Sequence, residues 1–257
     1  MPEIDPRSVV DPNAVLAEDV VVGPFCTVGP DVTLGQGTVL KSHVVVDGHT
    51  EIGAGCTLWP FASVGTQTQD LKYQGGAPGV RIGDGTTLRE YVTVNAATYD
   101  GDNTVIGERC HIMAYAHVAH DCIVGNEVIM ANAATLAGHV IVEDMAILGG
   151  LTGVHQFVRI GKMSITGGCS KVVQDIPPFM TADGNPLSVR GINKIGLERH
   201  GVSKDVIRTL RDAYRLLYRK KCGAREMVTE SRATLARSPE LESLEEFVLS
   251  SERGITR

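Results

Sequence analysis

The sequence predicts a mainly β protein, a parallel β-helix over residues 1–178 followed by an α-helical part over 179–257. Three observations carry this. Written in sixes from Ile4, the chain keeps one frame to Lys171, with Ile, Val, Leu or Met at the first position of 24 of 28 hexads. The fifth position is small or β-branched throughout, apart from Gln74. From Ser203 onward the apolar period changes to that of a helix. Neither a helix nor an alternating strand gives a period of six. A large aliphatic with a small residue four later belongs to a coil of three short walls. The first position fills the lumen and the fifth packs into the corner.

The frame begins near the N-terminus, where Met1-Pro2-Glu3-Ile4-Asp5 lacks a basic stretch leading into an apolar one, so no signal peptide is expected. Val22, Val28, Leu34 and Leu40 are expected in the lumen, and Val20, Cys26, Val32 and Thr38 in the corners. Cys56, Cys110 and Cys122 share the phase of Cys26, so they are expected as small buried residues and not as disulfides. That points to a cytoplasmic chain. Asp70 to Arg81 and a segment near residues 99–104 put Asp or Gly where aliphatics belong. Each occupies whole hexads, so each is expected as a loop thrown outward without loss of register. Pro177-Pro178 ends the repeat, and Thr181 to Pro186 is expected to be a turn-rich connector. Ser203 is a predicted N-cap, Val206, Leu210, Ala213, Tyr214 and Leu217 the buried face, and Gly223 a C-cap. Two further helices are expected, over about 224–237 and 239–251.

No apolar run reaches the roughly 18 residues that cross a membrane. The net charge of −6 argues against a nucleic-acid partner. Against that acidic background stands the basic run Arg208, Arg211, Arg215, Arg219, Lys220, Lys221, a landing surface for an acidic partner or else a solvated face.

The chemistry is expected around Ala116-His117-Val118-Ala119-His120-Asp121-Cys122. The repeat accounts for Val118 and Cys122 but not for His117, His120 and Asp121, which face outward. A histidine can take a proton from a hydroxyl or an amine, and a carboxylate can hold its ring. Residues 18 apart stack, which places Gly138 and Gln156 in the column of His120 and His139 above Asp121, about 4.8 Å away. His155 joins the Gln156 wall. Gly138 offers a backbone N–H to an oxyanion. His117, His120, His139 and His155 also supply nitrogens enough for a zinc ion. Asp70 and Lys72, on the first loop, are suited to a sugar hydroxyl and a phosphate.

The runs GPFCTVGP at 23–30, LKSHVVVDGHT at 40–50, QDLKY at 69–73, AHVAHDC at 116–122, ATLAGHV at 134–140, VHQF at 154–157, GGCS at 167–170 and QDIPP at 174–178 resemble the UDP-N-acetylglucosamine acyltransferase family, among the hexapeptide-repeat acyltransferases. The resemblance covers nearly the whole chain. It implies a left-handed β-helix, a homotrimer with clefts between subunits, and no cofactor. It implies transfer of an R-3-hydroxyacyl chain from acyl carrier protein to the 3-position of UDP-N-acetylglucosamine, the first step of lipid A biosynthesis. By motif, His120 resembles the general base, Asp121 its orienting partner and Gly138 the oxyanion donor. Asp70, Lys72, His117, His139 and Gln156 match the sugar-nucleotide and acyl cleft, with His155 beside it. Asn193 and Arg199 match the nucleotide side, and Gly168 the position that limits acyl length. Arg208, Arg211 and Arg215 then become the docking surface for acidic acyl carrier protein. The long polar loop and basic helix have no obvious use in a zinc-dependent hexapeptide carbonic anhydrase, so a His-zinc protein of that kind is the lesser alternative and no metal is expected. The sequence departs from the family pattern where His-Arg-Gly-Thr reads Asn95-Ala96-Ala97-Thr98, where a Glu is Ile195, and where the second of two Arg is His200. Asn95 raises an alternative acceptor, the 3-amino analogue of UDP-N-acetylglucosamine. The N-acyltransferase relatives normally carry an N-terminal domain, and hexads from Ile4 argue against that reading.

Overall fold

A computed structural model describes residues 1–257. Twenty-six strands of two to four residues form three parallel walls between Glu3 and Val172. The first wall runs from Glu3–Ile4 to Ile165–Thr166, the second from Val9–Val10 to Lys171–Val172, and the third from Val15–Leu16 to Arg159–Ile160. Together they are a left-handed parallel β-helix. Each strand pairs with the one a full coil later, as Val21 pairs with Val39 and His117 with Thr135. The lumen is as the hexads require. Val22, Val28, Leu34 and Leu40 are buried from one position, and Val20, Cys26, Val32 and Thr38 from the other. At the N-terminal end, where no coil lies beneath, the lumen residue Ile4 is exposed and Val10 and Leu16 are only half-buried.

The two loops lengthen single coils and leave the ladder in step. Gly79 pairs with His49, 30 residues back, and Asn103 with Gly79, 24 residues on. Both loops begin and end earlier than expected. Gly79, Val80 and Arg81 already belong to the strand Gly79–Ile82, and Asn103 and Thr104 to Asn103–Ile106, so the outward segments are 67–78 and 96–102. Both strands had an aliphatic to bury, Val80 and Ile82 in one and Ile106 in the other, and burial sets the boundary.

Beyond the prism the connector is ordered, not merely turn-rich. Met180–Asp183 and Ser188–Ile192 form an antiparallel hairpin whose first strand pairs with Ile165–Thr166 and extends the first wall. The part from 179 onward is therefore not wholly helical. Four helices follow: α1 (Lys194–Arg199), α2 (Lys204–Tyr214), α3 (Ala224–Thr234) and α4 (Pro239–Ser250). None is long and apolar enough to cross a membrane. Ser203 caps α2 by accepting from the Val206 N–H. Its buried face is Ile207, Leu210 and Ala213, with Val206 and Tyr214 at the margin instead of at the centre. Past Tyr214 a single wide turn, Arg215–Arg219, rotates Leu216 and Leu217 inward. The helix then ends at Lys221, which holds a left-handed φ of 59°. Gly223 is thus the N-cap of α3 and not a C-cap. The basic run is only partly free: Arg215 pairs with Asp212 and Lys220 with Glu230, while the Arg208 and Arg211 side chains stand exposed with no ion pair.

The tail returns to close the top of the prism. The Asp175 N–H donates to the Gly254 carbonyl at 3.0 Å, and the Thr256 N–H to the Asp175 carbonyl at 2.8 Å. The side chain of Asp175 accepts from the Arg159 N–H and from Ser251 Oγ.

Between α3 and α4, Glu245 is 1% exposed and accepts from Ser231 Oγ at 2.6 Å, Arg237 Nη1 at 2.7 Å and Arg232 Nε at 3.2 Å. Burial acts to raise its pKa, and the hydrogen bonds from Arg237, Ser231 and Arg232 outweigh that and hold it below the ordinary range. Glu245→Gln is expected to destabilise the chain by about 2 kcal/mol, less than the loss from a wholly buried pair because both guanidiniums reach water. A carboxylate with a depressed pKa contributes fully above the unfolded value, about 4.3, and progressively less as pH falls through the folded one. Urea unfolding should therefore show a gap between wild type and variant at neutral pH that closes in acid.

Candidate active site

The site sits on the edge between the second and third walls. Three consecutive corners there carry non-glycine residues with left-handed backbone: Asp121, His139 and Phe157, with φ of 59°, 60° and 64°. Residues in equivalent turns of adjacent coils project alike, so their side chains stack. The His139 ring lies on Phe157 at 4.6 Å and 6°, and its Nε2 is 3.6 Å from Asp121 Oδ2.

His120 Nδ1 lies 2.7 Å from Asp121 Oδ2. Asp121 is an acceptor only when ionised, so Nδ1 carries the proton and Nε2 presents its lone pair. Burial acts to raise the Asp121 pKa, but hydrogen bonds from His120 and from the Thr98 hydroxyl and N–H outweigh it and keep the group ionised below the usual range. The ring of His120 covers Gly138 so closely that a Cβ there would stand 2.3 Å from Cε1 and 2.5 Å from Nε2. Gly138 is thus a glycine because the imidazole occupies the place of a side chain. Its N–H donates to no acceptor within the chain. His117 is held through Nδ1 by Thr93 Oγ1 at 2.7 Å. Burial, with His120 close by, lowers its pKa and keeps it neutral. Cys122, directly behind the dyad, is no nucleophile: burial pushes its thiol up to about 12.

Two residues at this edge carry no expectation from sequence. Phe157 is the stacking floor of His139. Thr98 matters more. Its Oγ1 donates to Asp121 Oδ2 at 2.7 Å and lies 3.0 Å from His120 Nδ1, and its N–H donates to Asp121 Oδ1 at 3.1 Å. The Asp121 N–H is in turn fixed on Thr104 Oγ1. Column arithmetic from Asp121 reaches residue 103, not Thr98, because the loop 96–102 adds six residues to that coil. The only sequence sign was a Thr in the small-residue phase within that loop.

Of the expected residues, His117, His120, Asp121, Gly138 and His139 converge, and Asp70 joins them, since one oxygen of Asp70 and one nitrogen each of His120 and His139 all lie within 4.8 Å of one another. Lys72 is exposed on the same loop, where its N–H donates to Asp70 Oδ1 at 2.9 Å. His155 and Gln156 are exposed one corner above His139. Asn95 lies beneath Ala119 in the second wall and is 5% exposed. Its Nδ2 donates to Thr66 Oγ1 and the Gln67 carbonyl, and its Oδ1 has no partner. Gly168 is exposed on a different edge, that between the first and second walls, in a column with Gly150. Asn193 spends its side chain capping α1 and donating to the Met163 carbonyl, and Arg199 is exposed in the last turn. His200 faces another pocket, of about 300 Å³, with Met145, Met163 and Phe179 on the edge between the third and first walls. Neither the nucleotide-side residues nor Arg208, Arg211 and Arg215 on α2 belong to the histidine cluster.

Residues 175–256 match the family model described as UDP N-acetylglucosamine O-acyltransferase, domain 2, and residues 13–48 and 103–138 match that of the bacterial transferase hexapeptide. The chain is similar to the acyl-[acyl-carrier-protein]–UDP-N-acetylglucosamine O-acyltransferase of Thermodesulfovibrio yellowstonii, with 47% identity over 82% of this chain and 83% of the relative. To that of Chlamydia pneumoniae it is 52% identical over 82% of this chain and 76% of the relative. Among solved structures, LpxA from Acinetobacter baumannii superposes with a TM-score of 0.96 at 41% identity, covering 99% of each chain. The UDP-N-acetylglucosamine acyltransferase of Campylobacter jejuni gives 0.93 at 38%, also over 99% of each.

Thr98 orients the carboxylate without touching a reacting atom. A lost hydrogen bond to a charged group costs about 1.5–3 kcal/mol, equivalent to roughly 10- to 100-fold. Thr98→Val is expected to lower kcat by that factor with little change in KM, and Thr98→Ser to restore most of it. A change confined to KM would remove Thr98 as a positioning residue.

Proposed function

The chain belongs to the UDP-N-acetylglucosamine O-acyltransferase family, and from the geometry of its edge we propose that His120 is the base by which it moves an R-3-hydroxyacyl chain from acyl carrier protein to the sugar 3-position. The enzyme is an acyltransferase of lipid A biosynthesis. The observation that supports the base is the 2.7 Å contact of His120 Nδ1 with an ionised Asp121, which leaves Nε2 free to accept.

The acceptor O–H gives its proton to Nε2 as its oxygen attacks the thioester carbon. Asp121 stabilises the imidazolium so formed. The carbonyl oxygen becomes an oxyanion beside the free Gly138 N–H. Collapse breaks the carbon–sulfur bond, the proton passes from Nε2 to the departing thiolate, and the ester and the carrier thiol leave. Asp70, Lys72, His117, His139, His155 and Gln156 line the cleft for acceptor and chain, and Asn193 and Arg199 serve the nucleotide end. In a homotrimer these parts meet across the subunit boundary. Arg208, Arg211 and Arg215 face the acidic carrier.

His120→Ala is expected to reduce kcat by roughly 10²–10⁴-fold in a folded protein. Near-normal turnover with an unchanged circular dichroism spectrum would remove His120 as the base. Asp121→Ala should cost less.

Gly168 is the proposed limit on chain length, about two and two-thirds coils above His120, or roughly 13 Å along the prism axis at the strand spacing. With no side chain there the groove admits a long chain. Gly168→Met is expected to shift preference toward shorter acyl donors by about 1–3 kcal/mol, read as the ratio of kcat/KM across a donor panel. A flat response would place the ruler elsewhere.

One observation favours a second acceptor. Asn95 Oδ1 is a buried acceptor with no donor, while both its Nδ2 contacts fix the orientation of the amide. Such an atom calls for an N–H or O–H, and since it is closed to solvent an acceptor sugar meets it only as the Gln67 end of the loop 67–78 moves aside. A 3-amino sugar brings two N–H groups where a hydroxyl brings one O–H, and a neutral amide does not repel it as an imidazolium would. We therefore expect kcat/KM for the 3-amino analogue to equal or exceed that for UDP-N-acetylglucosamine, and Asn95→His to lower the ratio. A hydroxyl preference that persists unchanged in Asn95→His would end this reading.

A further inference from the structure

We infer that Asp70, His120 and His139 form a binding site for a divalent cation of the zinc class, and that the ion inhibits the enzyme by occupying the base. The inhibition rests on the function proposed above, whereas the binding does not. One ligand atom from each residue lies within 4.8 Å of the other two. A tetrahedral zinc ion, with bonds of about 2.0–2.1 Å, needs its ligand atoms roughly 3.4 Å apart. Each pair must therefore close by at most about 1.4 Å, which Asp70 does by turning on its loop and the two imidazoles by small rotations about their side-chain bonds. Asp70 belongs to the outward loop 67–78, its N–H resting on Thr68 Oγ1 at 3.1 Å, while both histidines stand on the rigid edge.

The donor set selects the ion. Two imidazoles and one carboxylate suit zinc, cobalt and nickel, while magnesium and calcium demand oxygen ligands. The surroundings are those of a metal ligand as much as those of a base. His120 already has its Nδ1 held by Asp121 Oδ2 at 2.7 Å, which fixes the tautomer that offers Nε2. A carboxylate behind a histidine is the usual support of a zinc-bound imidazole. The His139 ring is fixed from its other side by Phe157, with centroids 4.6 Å apart. Asp70 and Asp121 together supply the two negative charges that balance the ion. Three protein ligands leave a fourth position open, on the side from which the acceptor reaches Nε2. The ion and the acceptor proton therefore compete for one lone pair, and the metal has no part in the reaction itself.

The test uses chelator-treated full-length protein, with Co²⁺ and Zn²⁺ as the probes. Co²⁺ is expected to give the visible absorption of a four-coordinate ion, and Zn²⁺ to displace it with one ion per chain by calorimetry. Asp70→Asn and His139→Gln, each checked for fold by circular dichroism, should weaken Zn²⁺ binding by more than 10-fold. Asp121→Asn, which removes the support and not a ligand, should weaken it by roughly 10- to 100-fold. In the acyl-transfer assay Zn²⁺ should inhibit competitively with the sugar nucleotide and reversibly with chelator. Zn²⁺ binding that is unchanged in both ligand variants, or an octahedral Co²⁺ spectrum, overturns the site. Binding at this site with no inhibition of an active enzyme overturns the blocking role. Binding by a protein that transfers no acyl group leaves the site standing and refutes the proposed reaction instead.

Discussion

At most corners of the prism one residue turns the chain with a left-handed backbone, and the rest of the molecule follows from where those residues fall. For a residue with a Cβ the conformation costs about 1–2 kcal/mol. The chain accepts it at Phe25, His43, Phe61, Tyr91 and Tyr115 along one edge, and at Asp121, His139 and Phe157 along another. Ladder hydrogen bonds on both sides and a lumen of buried Val, Ile and Leu hold each corner in place. Because the turns are alike, their side chains leave the prism in parallel. On the first edge this makes a column of rings with centroids 4.8–5.0 Å apart. On the second it brings a carboxylate, an imidazole and a phenyl ring into one line. The site is thus a local use of the same regularity that builds the scaffold.

The base is prepared by what surrounds its partner. Asp121 receives hydrogen bonds from His120, from the Thr98 hydroxyl and from the Thr98 N–H, and its own N–H is held by Thr104. A carboxylate held on several sides has little freedom to rotate away from the ring it orients. The glycine at 138 then decides how the ring lies, since any Cβ there would collide with it. Orientation here is a matter of steric exclusion on one face and hydrogen bonding on the other.

The lumen and corners were legible because the six-residue period assigns each residue a place before any contact is known. Val22, Leu34 and Cys26 could be placed by counting alone. The dyad was legible for the converse reason: His120 and Asp121 are polar where the period asks for nothing. Counting by 18 also found Gly138 and His139. It failed at Thr98, which reaches Asp121 only because its coil is six residues longer than the regular eighteen. It failed again past Pro178, where Asp183-Gly184-Asn185-Pro186 signals a turn but not that the flanking strands pair with the prism. Gly223 suited either end of a helix, and the left-handed Lys221 before it decided which. In each case the missing information was a contact between segments, which no local pattern contains.

The loops 67–78 and 96–102 lengthen their coils by twelve and six residues, so that the pairing of Gly79 with His49 and of Asn103 with Gly79 stays in register. A scaffold of this kind accepts change in discrete lots. One residue added to a wall would send every later aliphatic out of the lumen, while six or twelve pass unnoticed by all the coils above. Loops over the catalytic edge can therefore be gained, lost or exchanged whole, and the machinery above them is carried along intact. Variation in what the cleft admits is thereby separated from variation in how the chain folds.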